Sequence, residues 1–477
     1  MSNSSVRFGT SGLRGLAVEL QGEVARRYTR GFIEYLASIG ASCSGRVYLA
    51  RDFRPSSPAI LQDCAAAIRA AGLTPVDCGL VPTPALAFHA MQNQSASIMI
   101  TGSHIPADRN GLKFYTPAGE ISKADEEGIT AAAGKAQSAA DASVPPEQDS
   151  AAANLYLCRY TSPRPMAGLT GLRIGVFEHS TVARDLLVAA LQHSGATVLR
   201  LGRRGDFVPV DTEAPNDPVF APLPGWIAEH RLDAIISADG DGDRPFMVDG
   251  NGTFVRGDVL GLLTAQFLQA DAIVTPVTSN SAIERTGLFA AVLRTKVGSP
   301  YVIAGIDDAR AQGYGRIIGF EANGGTLLGS DCSTGSIDLL ALPTRDALLP
   351  LLAVLGLAAR QQVSVANLVA GLPTRPMVSD RLENVPSAAS AKFLQRLENE
   401  PKFTESFFAP IGAVASLSAV DGLQFRLDTG STIHYRASGN APEMRCYVEA
   451  DHAERARAVL SWALDAAERA VRPADAN

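Results

Sequence analysis

At 477 residues, 46% hydrophobic and 19% charged, the chain has a globular make-up and is too long for one hydrophobic core, so several domains are expected. A formal net charge of −7 with no local Lys/Arg block excludes the electrostatic footprint of a nucleic-acid binder, so any anionic ligand has to be held by local groups. The six cysteines show no CxxC pair and read as small core residues in a reducing compartment, not as a disulfide framework. The amino terminus lacks the apolar core of a signal peptide, and "ALLPLLAVLGLAA" (347–359) is too short to span a bilayer. No membrane partner and a cytoplasmic location are therefore expected.

In chain order, "RVYLARD" predicts a strand, "SPAILQDCAAAIRAAG" a helix, and "TPVDCG" and "SASIMIT" two further strands. Alternating strands and helices imply a parallel sheet, and Ser103 falls just past the carboxyl end of "SASIMIT", where open α/β sheets place their ligands. A polar, alanine-rich stretch from 131 to 153 reads as a linker. A second α/β unit follows: strand "LRIGVFE", helix "TVARDLLVAALQHSG", strands "ATVLRLG" and "DAIISA", then a hairpin in "FMVDGNGTFV". From Gly257 the plan repeats, with strands "AIVTPV", "AVLRTKVG" and "RIIGFE" and helices near 280–287 and 300–312. The last hundred residues form a hairpin, a strand and the amphipathic helix "HAERARAVLSWALDAAERAV", which suggests a small α+β domain.

By residue type alone, "DGDGDR" (239–244) carries the strongest signal. In an extended loop, Asp239, Asp241 and Asp243 project to one side and can converge on a hard divalent cation. An EF-hand fails, because Arg244 and Gly250 stand where its glycine and glutamate are required. A solvated acidic turn is the plain alternative. Ser103, in "TGSHIP", lies in neither a G-x-S-x-G elbow nor a P-loop, and by residue type a turn serine and a reactive serine stand equal. His104 and Lys113, taken singly, are a structural histidine and a surface charge. "RASGNAP" (436–442) offers Arg436, Ser438, Gly439 and Asn440, a set suited to a phosphate and equally to an ordinary hairpin exit. "GFEANGG" (319–325) offers Glu321 and Asn323, a pair able to hold sugar hydroxyls.

These four loops, in this order and at these separations, resemble the α-D-phosphohexomutase family of phosphomannomutases, phosphoglucomutases and phosphoglucosamine mutases. The likeness runs from "GTSGLRG" to "RASGNAPEMRCYVEA", essentially the whole chain. It implies four domains around a central cleft: three α/β mixed-sheet domains of similar topology and a smaller C-terminal α+β domain. The corresponding segments are 1–150 for the phosphoserine loop, 151–255 for the metal, 256–370 for the sugar and 371–477 for the distal phosphate. The resemblance makes Ser103 the phosphoryl carrier and Asp239, Asp241 and Asp243, with the Ser103 phosphate, ligands of magnesium (Mg2+). Arg14, His104 and Lys113 stand as charge stabilisers and candidates for proton handling. Arg244, Ser299, Glu321, Asn323, Arg436, Ser438, Gly439 and Asn440 stand as substrate contacts. The implied reaction moves a phosphoryl group reversibly between C6 and C1 of a hexose phosphate, mannose first, through a hexose 1,6-bisphosphate that also serves as activator. The partner is then a small-molecule hexose phosphate, and the enzyme a monomer or homodimer.

The chain departs from the common family pattern at Ile105, where asparagine is usual, at Gly325, where histidine often stands, and at Asn440 and Ala441 in place of threonine and glutamate. Two other classes compete. An aspartyl phosphatase would use Asp239 as nucleophile, although Asp243 replaces its expected Thr or Val. A non-catalytic module would only bind a divalent cation.

Overall fold

The computed structural model describes residues 5–9, 11–41, 44–135, 144–335, 337–437 and 442–471. The chain packs as two compact units. The first comprises Met1–Thr275, Phe289–Leu293 and Gly298–Gly371; the second comprises Pro276–Leu288, Arg294–Val297 and Leu372–Asn477.

In the first unit the most amino-terminal sheet runs Arg7–Phe8, Leu13–Leu16, Arg109–Thr116, Ala96–Ile100, Arg46–Arg51, Thr74–Asp77 and Glu147–Gln148, with Gly119–Glu120 added to Arg109–Thr116. Its centre is parallel as the βαβ pattern requires, but Arg109–Thr116 lies antiparallel to Ala96–Ile100, so the sheet is mixed. All five residues of Ala96–Ile100 are buried, as expected of a strand covered on both faces. Helix Glu23–Ser38 turns Ala25, Phe32 and Leu36 inwards, and the Phe32 ring meets Phe114 at 4.9 Å.

A second mixed sheet runs Thr197–Leu201, Arg173–Phe177, Ala234–Ala238, Pro245–Asp249 and Phe254–Val255. Its parallel strands give way to the hairpin expected in "FMVDGNGTFV". A third runs Ala291–Thr295, Ala272–Pro276, Ile317–Phe320, Thr326–Leu328 and Leu342–Asp346. The apolar run at 347–359 is the helix Leu348–Gln361, buried through Ala358 on every side and so a core element. Among the described residues no helix is long and apolar enough to cross a membrane.

The second unit holds an antiparallel sheet in the order Met377–Leu382, Met444–Glu449, Thr432–Ala437, Leu423–Leu427 and Val414–Ser418. Helices Ser387–Asn399 and Ala453–Val471 pack on one face over Phe393, Leu397, Phe425, Tyr435 and Val459.

The segment expected as a linker is partly helical, with Lys123–Ala133 and Ala151–Thr161 flanking the undescribed residues 136–143. The helix expected near 280–287 is the short Ala282–Arg285. Of the described cysteines, Cys64, Cys78, Cys332 and Cys446 are buried and Cys158 is exposed.

Candidate active site

The serine loop is shaped by groups the strand ends deliver. Ser103 has φ of +54°, a strained conformation for a residue with a side chain, and it is 1% exposed. Its N–H donates to Thr101 Oγ1 at 2.8 Å, and Thr101 Oγ1 donates to Asp52 Oδ2 at 2.8 Å. Arg54, buried under the loop, donates to the carbonyl oxygens of Ser103 (2.9 Å), Ile105 (2.6 Å), Pro106 (2.6 Å) and Arg109 (2.8 Å), and its Nε donates to Asp52 at 3.1 Å. One guanidinium thus fixes the loop, a task that needs its planar fork of donors.

The aspartate loop meets this serine as a tight turn and not as an extended run. Gly242 N–H returns to the Asp239 carbonyl at 3.1 Å, and Asp239 N–H bonds the Arg244 carbonyl at 3.0 Å. Gly242 has φ of +73°, which favours glycine. The turn still gathers the three carboxylates, with one oxygen of each within 4.8 Å of the others. Ser103 Oγ donates to Asp239 Oδ2 at 2.5 Å, while the N–H groups of Asp243 and Arg244 donate to Asp239 Oδ1 at 3.2 and 3.1 Å. Lys113 Nζ lies 2.5 Å from both Asp241 Oδ2 and Asp243 Oδ2. Thr83, first residue of the helix Thr83–Gln92, donates its hydroxyl to Asp241 at 2.5 Å, so that helix amino terminus also faces the carboxylate.

Electrostatics divides the aspartates. Burial, then the charges of Asp241 and Asp243, push the Asp239 carboxyl well above its ordinary range. Burial acts the same way on Asp241, but the Lys113 ammonium and the Thr83 hydroxyl overcome it and hold that carboxyl low. Asp241 Oδ1 and Asp243 Oδ1 are buried without a hydrogen-bond partner among the described residues. Buried, unpartnered carboxylate oxygens beside one another are the donor set a hard divalent cation requires, so these residues fit a metal.

Basic groups act on one another close to the aspartate loop and His104. Arg14, Arg244 and Arg345 act on one another strongly: burial, then Arg244 and Arg345, push the Arg14 guanidinium down to about 10. Arg244 Nε is buried without a partner among the described residues, and its NH1 is 3.8 Å from the exposed Glu213. His104 Nδ1 is 3.3 Å from Ser103 Oγ, and burial followed by Arg244 and Arg14 pushes its pKa far down, so the ring is neutral. Clustered cations around a buried hydroxyl favour an anion there.

Arg345 ties the sugar loop to this cluster. It donates to Asp243 (3.1 Å), Glu321 (3.0 Å) and Ser11 (2.9 Å). Its stem explains Gly325: a Cβ at that position would lie 2.6 Å from Arg345 Cδ. A histidine there would have to displace the arginine. Ser299 Oγ donates to Glu120 Oε1 at 2.7 Å, which also accepts from Ser11 at 3.2 Å, joining Ser299 to the same chain of bonds. Asn323 Oδ1 accepts from Gly325 N–H at 2.9 Å and so holds its own loop.

Known proteins place this arrangement. Residues 5–140 match phosphoglucomutase/phosphomannomutase alpha/beta/alpha domain I, and residues 256–375 match domain III of the same family. A phosphomannomutase of Sinorhizobium fredii is 47% identical over 464 residues, covering 96% of this chain and 98% of that one. The chain belongs to the phosphoglucomutase/phosphomannomutase family. A phosphomannomutase of Salmonella muenchen is 43% identical, covering 97% of this chain and 96% of its own. The fold agrees with a solved phosphoglucomutase/phosphomannomutase family protein from Burkholderia thailandensis, with a TM-score of 0.78 at 23% identity and 98% of each chain covered.

Within this family member the structure brings together Ser103, His104, Lys113, Arg14, the three aspartates, Arg244, Glu321 and, through Glu120, Ser299. Arg436 belongs to the second unit, where its Nε lies 2.8 Å from Asp421 Oδ2. Ser438, Gly439 and Asn440 lie outside the described residues. Arg54, Thr83, Glu120 and Arg345 escape the motif reading, although Arg54 and Arg345 each stand in a charged Arg/Asp pair at a strand end, where α/β loops gather.

Proposed function

We propose that the chain is a cytoplasmic phosphomannomutase, monomeric or homodimeric, that uses Ser103 as its phosphoryl carrier. The observation that carries this reading is the Ser103 hydroxyl, held 2.5 Å from one of three converging buried carboxylates and 3.3 Å from His104, a ring on which the Arg244 and Arg14 charges act. Mannose phosphate as substrate is extended to this chain from the phosphomannomutases of Sinorhizobium fredii and Salmonella muenchen. The segments 1–150, 151–255, 256–370 and 371–477 are assigned to serine, metal, sugar and distal phosphate in turn.

In this mechanism the bond from phosphorus to Ser103 Oγ breaks as a bond forms to the free C1 or C6 hydroxyl of the hexose phosphate. The resulting bisphosphate turns over and returns its other phosphoryl group to Ser103 Oγ. Asp239, Asp241 and Asp243 would hold Mg2+, which when bound supplies charge neutralisation for the transferring group. Arg14 and Arg244 stabilise the negative charge of the phosphoryl oxygens. His104 can take the sugar hydroxyl proton once phosphoryl charge offsets the burial and the neighbouring guanidiniums that keep its ring neutral. Lys113, held 2.5 Å from Asp241 and from Asp243, is assigned to orienting the two carboxylates. Glu321 presents its carboxylate to sugar hydroxyls while Arg345 fixes its direction. Arg436, Ser438, Gly439 and Asn440 are assigned to the non-reacting phosphate.

The phosphatase alternative fares worse, because both Asp239 oxygens are engaged, Oδ2 by Ser103 and Oδ1 by two backbone N–H groups. The deciding experiment measures kcat/KM on mannose, glucose and glucosamine 1-phosphates with Mg2+ and catalytic hexose 1,6-bisphosphate, and maps acid-stable phosphate on the purified protein. Mannose 1-phosphate should be best, with the phosphate on Ser103. Glucosamine 1-phosphate better by more than about tenfold, ~1.4 kcal/mol, would overturn the substrate. Full activity in Ser103→Ala would overturn the mechanism.

A further inference from the structure

The second unit contains a cavity of about 460 Å³ that shares no residue with the Ser103 cluster. It lies on the sheet face opposite the packed helices. Gln424 with Arg426, Thr432 with His434, and Tyr447 with Glu449 are i, i+2 pairs on neighbouring strands, so each pair projects to the same side. The segment containing Ser281, Glu284 and Arg285 supplies more of the wall. Sheet faces that meet another element are normally apolar; this one is lined by charge.

The charges do not balance. Arg285, Arg294, Arg375 and Arg426 face two carboxylates, Glu284 and Glu449, both already engaged. Glu284 pairs with Arg294 at 2.7 Å, and Glu449 accepts the Ser281 N–H at 2.9 Å and the Ser281 hydroxyl. Arg375 pairs with Asp451 and donates to the Gly430 carbonyl at 2.7 Å, which leaves its buried Nε without a partner among the described residues. The side chains of Arg285 and Arg426 make no hydrogen bond or ion pair to any described residue. Burial, eased by Glu449, then the charges of Arg285 and Arg426 push the Arg375 guanidinium down. His434 is buried; its ring pairs Nε2 with the Asp421 carbonyl at 2.5 Å, and Nδ1 has no partner among the described residues. When Nε2 donates, Nδ1 is left as an acceptor for a hydroxyl.

We propose that this cavity binds a small phosphorylated anion, its dianionic head between Arg285, Arg375 and Arg426 and a hydroxyl at His434. The Arg285 and Arg426 side chains pair with no described carboxylate, and the guanidinium fork suits phosphate oxygens pairwise. The cavity volume suits a ligand of metabolite size.

The test is isothermal titration of the full-length protein with inorganic pyrophosphate and separately with inorganic phosphate, in low salt. The Arg285→Ala/Arg426→Ala double variant is compared with the unsubstituted chain. Both side chains are exposed, so the double variant should keep its fold, checked by circular dichroism. The single variant Arg426→Glu provides a second reading. The expected result is a class of pyrophosphate sites weakened by at least about tenfold in both variants, with KM for hexose 1-phosphate within about twofold. Unchanged pyrophosphate binding in the double variant would overturn the proposal. So would a tenfold rise in KM parallel to the loss of binding, since the arginines would then serve the catalytic site.

Discussion

The Ser103 cluster and the arginine-lined cavity of the second unit handle charge in opposite ways. In the first, anions and cations are interleaved at hydrogen-bond distance and shut away from water: Lys113 between two aspartates, Arg345 between Asp243 and Glu321, and Arg54 under four carbonyls. In the second, like charges lean on one another around open space and two of them, Arg285 and Arg426, stand in solvent. A buried network makes each member costly to remove because the partners are left charged or unbonded in a low-dielectric site. A solvated cluster stores little stability and is free to be spent on a ligand.

That contrast can be broken by measurement, beginning where the effect should be greatest. Ser103→Ala should lower mutase turnover by about 10⁴-fold or more, equivalent to about 5 kcal/mol of barrier, in a coupled assay with bisphosphate present. Arg54→Ala should cost about 3–5 kcal/mol of stability in urea unfolding, since it strands Asp52 and the loop carbonyls. Arg54→Lys should rescue little of it, because one ammonium cannot span four carbonyls; full rescue would mean that charge alone matters there.

His179 sharpens the comparison through pH. Its ring, bonded to the Ala238 carbonyl at 2.9 Å just before the aspartate loop, is pushed by burial from 6.5 to about 4. Below pH 6.5 the unfolded chain binds a proton that the folded chain refuses, so stability falls as pH drops from 6.5 towards 4 and then levels off. The total is about 3 kcal/mol. The difference in unfolding free energy between the natural chain and His179→Gln should show this slope, and parallel pH profiles would refute it. Gly325→Ala, which presses on Arg345, should cost about 1–3 kcal/mol by thermal or urea unfolding. Smallest of all, Arg285→Ala and Arg426→Ala should each stay within about 0.5 kcal/mol of the parent.

Much of this was legible in the one-dimensional pattern. Strands such as Ala96–Ile100 and Ala234–Ala238 announce themselves because β-branched and apolar runs bounded by turn residues are local signals. The convergence of Asp239, Asp241 and Asp243 was foreseen, although by an extended loop where the chain makes a turn. The helix Leu348–Gln361 shows the limit of such signals, since an apolar run states that it is hidden but not among what.

The sequence by itself determined the α/β alternation, the acidic triad, the serine placed after a strand and the order of the loops, because each depends on neighbours a few residues away. Only the tertiary structure decided which groups share a site. Ser103 and Asp239 are 136 positions apart, Lys113 and Asp241 128, and Arg345 and Asp243 102. The strand-end Arg/Asp pairs mark Arg54 and Arg345 as near a loop, but nothing local names the groups each one holds. Their roles arise because folding removes water from around them and leaves carboxylates and carbonyls as the partners within reach.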